Sequence, residues 1–171
     1  MHPDSFGKHA FTAGYDEFFG RNSVFRSEYS DPRTAHQLRG LRRLFDISYQ
    51  HEGYQSIYLF PFSMIGSTYG YSYALQNFFP SAREGLCKFT SRMLTSKLKA
   101  GGKPEVLASF FTSSDEMNRK VFEEDHAICK RVVQKSLEPT FNAIFAESEV
   151  KIARFRKWIR EAEAGAHQSS A

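Results

Sequence analysis

Cysteine is nearly missing from this chain of 171 residues, which holds only Cys87 and Cys129, far apart in sequence. Two such thiols build no disulfide framework, which fits a reducing compartment, and each reads as a packing residue. Long apolar runs are missing too. No stretch approaches the roughly 18 residues that a membrane span requires. The opening Met1-His2-Pro3-Asp4 lacks the basic and then apolar character of a secretion signal. The expected setting is therefore aqueous and cytoplasmic. No Gly-rich phosphate loop, Ser or Cys nucleophile motif or internal repeat is found, so nucleotide-loop chemistry, covalent acyl transfer and solenoid architectures have no support.

What is present is core material. Hydrophobic residues make up 41% and aromatic residues 15%, enough for one domain with a real interior. The net charge of +4 raises nucleic acid as a partner, and Lys151, Arg154, Arg156, Lys157 and Arg160 cluster near the C-terminus. Periodicity answers it: Ile152, Phe155, Ile159 and Ala162 form one helical stripe, and the bases are the solvated face of the same helix. With no aromatic-interleaved platform and no reading module, nucleic acid is not an expected partner.

Along the chain, residues 1 to about 35 have no clean period and read as loop, and Ala35 to Phe45 reads as a brief basic helix. Three apolar runs come next, Ile57–Ile65, Tyr69–Phe79 and Leu86–Thr95, separated by Gly66-Ser67 and Pro80-Ser81. Alternation within them, such as Tyr69, Tyr71, Tyr73 and Leu75 against Gly70, Ser72 and Ala74, predicts an antiparallel meander with one core face. Pro61 cannot donate to a ladder and marks a bulge or edge. Lys99–Pro104 is a linker, Glu105 to about Leu137 reads as a helix interrupted near Thr112-Ser113-Ser114, and a last helix covers about Ala146–Ala164. The expected class is α+β, an antiparallel sheet with C-terminal helices on one face. Residues 1–164 form the domain and 165–171 a frayed tail.

One position breaks the pattern. At about 100° per residue, Val121, Phe122, Ile128, Cys129 and Val132 fall within about 60° of Asp125, whereas the neighbouring charges project elsewhere. A carboxylate on an apolar stripe needs a partner. One reading is a buried Asp that caps a backbone group or pairs with an Arg; the other is a metal ligand. His126 points about 100° away, so it and Asp125 cannot face one metal from a regular helix, and it reads as a surface residue or one that supports a ligand from behind. His9 could in principle complete a metal site with His2, but nothing in the intervening loop fixes that geometry. Tyr58, Phe60, Tyr71 and Phe89 are candidates to line a pocket, with plain core packing as the alternative.

The run Phe122–Gln134, the segment Tyr58-Leu59-Phe60-Pro61, and Glu147-Ser148-Glu149-Val150 through Phe155-Arg156-Lys157-Trp158 resemble the C-terminal part of the large subunit of Rieske-type non-haem iron ring-hydroxylating oxygenases. In that family a helix with the Phe-x-x-Asp pattern carries the single carboxylate of a 2-His-1-carboxylate iron site, and the matching position is Asp125. Met1-His2-Pro3-Asp4-Ser5-Phe6 resembles the family's second iron histidine and the residues after it, and the matching ligand is His2. The resemblance implies a helix-grip-like fold, incomplete at the N-terminus, and mono- or dioxygenation of an apolar or aromatic substrate. Mononuclear Fe(II) would activate O2, with electrons from a [2Fe-2S] cluster fed by a reductase or ferredoxin.

The chain departs from that pattern in three places. The family's other iron histidine falls five positions before the one matched by His2, where this sequence has no residue. The acidic residue that links iron to the neighbouring cluster also precedes it. No Cys-x-His or Cys-x-x-His pair is present to hold a cluster. The expectation is therefore a partial catalytic domain without its Rieske domain, from a truncated or split gene. It would be inactive alone and would self-associate through an uncovered strand edge, a homo-oligomer by exposure. The alternative expectation is a non-enzymatic helix-grip module that binds a hydrophobic ligand.

Overall fold

The computed structural model describes residues 11–83, 86–136, 145–146 and 149–168, with the side chains of 131–136 and 166–168 outside that description. Six strands form one fully antiparallel sheet in the order β1-β2-β4-β5-β6-β7: β1 (Tyr15–Phe19), β2 (Asn22–Ser27), β4 (Tyr54–Leu59), β5 (Ser63–Thr68), β6 (Ser72–Pro80) and β7 (Cys87–Thr95). Two short strands, β3 (Phe45–Asp46) and β8 (Lys97–Leu98), pair separately. Helix α1 covers Pro32–Leu41, α2 Pro104–Ser136 and α3 Val150–Gln168. The α+β class expected from the sequence is what the chain adopts.

The first hairpin is a departure from expectation. Residues before 35 read as loop because β1 and β2 carry aromatic and polar side chains on both faces, which hides the alternation; Gly20, at φ 59°, makes the turn between them. The run expected as one strand from Ile57 to Ile65 is two, β4 and β5, joined through a cis Phe60–Pro61 peptide. Pro61 sits in that hairpin turn, where its missing donor costs nothing. Helix α1 starts earlier than its apolar pattern suggests because Asp31 caps it. The Asp31 carboxylate accepts from the Thr34 amide at 2.9 Å and the Thr34 hydroxyl at 2.6 Å, with Pro32 at the first turn.

Tyr69 and Tyr71 do not continue the sheet alternation. Tyr69 takes a positive φ of 48°, and the chain turns so that both rings enter a separate core with Phe45. The Phe45 and Tyr71 rings stack at 5.0 Å, and Phe110 at the start of α2 meets both edge-on. This core ties α1, the β3–β8 pair and α2 to one end of the sheet. Helix α2 runs unbroken through Thr112-Ser113-Ser114, where the Thr112 hydroxyl donates to the Ala108 carbonyl at 3.0 Å, a bond a helix tolerates. Helix α3 continues through Gly165 to Gln168, beyond the expected end at Ala164.

Both cysteines are exposed, which corrects their reading as core residues. Cys87 opens an edge strand, and Cys129 lies on the part of α2 that extends past the sheet. No helix among the described residues is long and apolar enough to cross a membrane.

Candidate functional site

Strand register assigns every sheet residue to one of two faces. One face carries Phe18, Phe25, Tyr58, Met64, Gly66, Ala74, Phe89 and Met93 in successive strands. Both long helices pack here, from opposite edges. Helix α3 lies over β1, β2 and β4. Trp158, 9% exposed, meets Phe18 and Phe60 edge-on at 6.3 Å each, and Phe155 meets Tyr58 at 5.8 Å. The cationic residues at this edge also help: Lys151 pairs with Asp16 at 3.1 Å, and the Arg154 guanidinium sits 3.9 Å from the Phe18 ring centre. Ile152, expected on the apolar stripe, is 47% exposed, because Lys151 rather than Ile152 aligns with Phe155 and Trp158 on the sheet side.

Helix α2 packs over the opposite edge. Phe122 meets Phe89 of β7 at 4.7 Å and 70°, and Phe89 in turn meets Phe78 at 4.9 Å. Between α2 and β7 is a cleft of about 300 Å³ lined by Ser91, Met93, Phe111, Asp115, Asn118, Arg119 and Phe122. Apolar walls from Phe111, Phe122 and Met93 face polar groups from Ser91 and Asn118 and the Arg119–Asp115 pair, which closes at 2.8 Å. Such a lining suits a small, largely apolar molecule with one or two hydrogen-bonding groups. The floor between the two helices mixes Met64 and Gln76 with the small Gly66 and Ala74. Gly66 is buried, and a Cβ there would lie 2.9 Å from the Tyr54 hydroxyl, so glycine lets that ring cross the sheet.

Asp125 stands on α2 seven residues after Asn118 and fourteen after Phe111, hence on the same side of the helix, about 4.5 Å of rise beyond Phe122. It is exposed. Periodicity therefore gives the side correctly, but not the burial. On this face the sheet ends at the Phe78–Phe89 and Pro80–Cys87 pairs, and α2 extends past them, leaving Ile128 at 44% exposure. The uncompensated buried carboxylate expected from the sequence is not what the described residues form. His126 is exposed as well, on a shallow flank with Arg119, Phe122 and Lys130.

His2 and His9 lie outside the described residues. Among the described residues no group of three or more His, Cys, Asp or Glu side chains is placed to hold a metal. A single carboxylate does not fix iron. Of the aromatic candidates, Tyr58 and Phe60 serve α3 and Phe89 serves α2, while Tyr71 belongs to the separate core; the structure does not bring the four together.

A polar cluster that the sequence did not signal lies on the opposite face. His51, 9% exposed, places Nε2 2.8 Å from the Ser67 hydroxyl and Nδ1 3.1 Å from the Glu52 carbonyl oxygen. Tyr49 donates to Gln55 Oε1 at 3.1 Å. Burial holds the His51 imidazole below its usual pKa, and Arg26 and Arg42 add to the effect. Isolated polar residues in strands gave no spacing that could have revealed this pairing.

No family model, curated protein or solved structure matches this chain.

Proposed function

We propose that this chain is the C-terminal part of the catalytic domain of a Rieske-type ring-hydroxylating mono- or dioxygenase, holding an apolar or aromatic substrate and contributing Asp125 to a mononuclear iron site. The supporting observation is the line Phe111, Asn118, Asp125 on one side of α2. It runs from an aromatic cleft to a carboxylate at the open end of the sheet. On this reading the chain is cytoplasmic. His2 is the second ligand, and the remaining histidine, the [2Fe-2S] cluster and the reductase or ferredoxin donor are supplied from elsewhere. The described residues do not fit Fe(II) by themselves, so no step with O2 is assigned to this chain alone.

The second reading is a metal-free module for a hydrophobic ligand, favoured by a cleft whose whole lining comes from β7 and α2. The coding sequence ahead of Met1 separates the two. An open frame encoding Cys-x-His, Cys-x-x-His and a histidine five codons before His2 supports the oxygenase. Stop codons in all frames, with tight binding of an apolar ligand to the chain as it stands, support the module.

A further inference from the structure

Helix α2 turns most of its charges away from the sheet, but one ion pair stays with the cleft. Around the helix axis Phe111, Asp115 and Phe122 fall within about 60° of Asn118, on the side that faces β7, and Arg119 stands about 100° round, at the rim. Asp115 and Arg119 are both exposed, and the guanidinium donates to the carboxylate through Nε at 2.8 Å. Its two Nη groups are not used in that bond. Such an exposed pair one turn apart adds little to the stability of a helix. The other bases nearby are turned elsewhere: Lys88 and Arg92 of β7 alternate onto the opposite sheet face from Ser91 and Met93, and Lys120 projects about 160° from Asn118. Glu123, the second acid that acts on Arg119, belongs to the other flank of the helix with His126.

We propose that the Asp115–Arg119 pair sets the ligand specificity of this cleft, which takes an uncharged molecule of one or two aromatic rings with a single hydroxyl or carbonyl group and turns away the corresponding carboxylate. The selection rests on the cleft being the substrate site proposed above. A carboxylate reaching for the Nη donors of Arg119 also comes within ion-pair range of Asp115, so attraction and repulsion nearly cancel while the loss of hydration remains. A cationic group meets the same balance with the signs reversed. A neutral group gives up far less hydration and finds Ser91 and Asn118, each of which can both donate and accept. Its rings then lie among Phe111, Phe122 and Met93 in a space of about 300 Å³. Asp115 is thus the selecting residue. Without its charge, Arg119 becomes a free guanidinium beside an apolar wall, which is the ordinary means of recognising a carboxylate.

Isothermal titration of the full chain at pH 7.5 with 2-naphthol and with 2-naphthoate tests the selection, because the two probes share one two-ring body and only naphthoate is charged. No iron is needed, so the outcome stands apart from the oxygenase reading: a preference for naphthol supports the selection even where the extended chain holds no iron. The parent is expected to bind naphthol at least about tenfold more tightly than naphthoate. Asp115→Asn is expected to raise naphthoate affinity at least about tenfold, and adding Arg119→Gln to remove that gain. Both positions are exposed, and thermal unfolding matched to the parent checks that each variant folds. Naphthoate binding the parent as tightly as naphthol, a preference unmoved by Asp115→Asn, or no binding of either probe would each overturn the proposal.

Discussion

His51 and Ser67 form a buried donor–acceptor pair between the 47–53 segment and β5, with Nε2 2.8 Å from the hydroxyl. The Glu52 carbonyl can only accept, so Nδ1 carries the hydrogen and donates to it at 3.1 Å. Nε2 is left as the acceptor of the Ser67 hydroxyl. The neutral ring is the form that fits. Its pKa is lowered by burial and by Arg26 and Arg42, so the unfolded chain takes up a proton more readily than the folded one. Stability from this group is present above the ordinary histidine pKa and is lost as pH falls through the depressed folded value. Urea unfolding between pH 7.5 and 5 should show falling stability, and His51→Gln should flatten that slope. An unchanged slope would place the titrating group elsewhere.

The same pair predicts a mutational cost. Ser67→Ala leaves Nε2 buried without its donor and should destabilise by about 1–3 kcal/mol at pH 7.5. Urea denaturation measures it, and a loss under about 0.5 kcal/mol would mean that the ring does not depend on Ser67.

Trp158 is the chain's single tryptophan and anchors α3 between Phe18 and Phe60. Its fluorescence should therefore report the docking of α3 on the β1–β2–β4 edge. Trp158→Ala should cost about 3–5 kcal/mol by circular dichroism, as for other large aromatic truncations. A smaller loss would mean that α3 is held mainly by Lys151 and Arg154.

Glycine positions offer a paired control. Gly70 has φ +78°, and a Cβ there would lie 2.0 Å from the Tyr49 carbonyl oxygen, whereas Gly20 has φ +59° with nothing within 4 Å. Gly20→Ala should cost only the backbone term, about 1–2 kcal/mol. Gly70→Ala adds a collision with main chain and should cost distinctly more. Equal losses would contradict the close approach of the 47–53 segment to the β5–β6 turn.

How far the residues announced this architecture depends on the element. The antiparallel meander from β4 to β7 was legible from alternation, but its turns were not: Gly66-Ser67, expected as a connection, lies inside β5, the chain turns at Tyr69-Gly70 instead, and Pro61 divides the first run in two. β1 and β2 were not legible, since aromatic and charged side chains occupy both of their faces. Asp125 shows the limit of periodicity most clearly: a helical wheel fixes its side of α2 but not whether the sheet reaches far enough to cover it. The His51–Ser67 pair depends on a loop folding back onto a strand sixteen residues later, a relation that no local pattern encodes.

Because Asp125 is exposed, Asp125→Asn should change the stability of this chain by no more than about 0.5 kcal/mol. A loss of several kcal/mol in chemical denaturation would make Asp125 a fold-holding residue and remove the main reason to assign it to iron.

The most direct measurement is the iron content of a protein extended at its N-terminus through the frame ahead of Met1, purified without oxygen, with Asp125 intact and as Asp125→Ala. The proposed function predicts one Fe(II) per chain in the intact protein, none with Asp125→Ala, and little in the 171-residue chain alone. Equal iron with and without the Asp125 carboxylate, or no mononuclear iron in the extended protein, would contradict it.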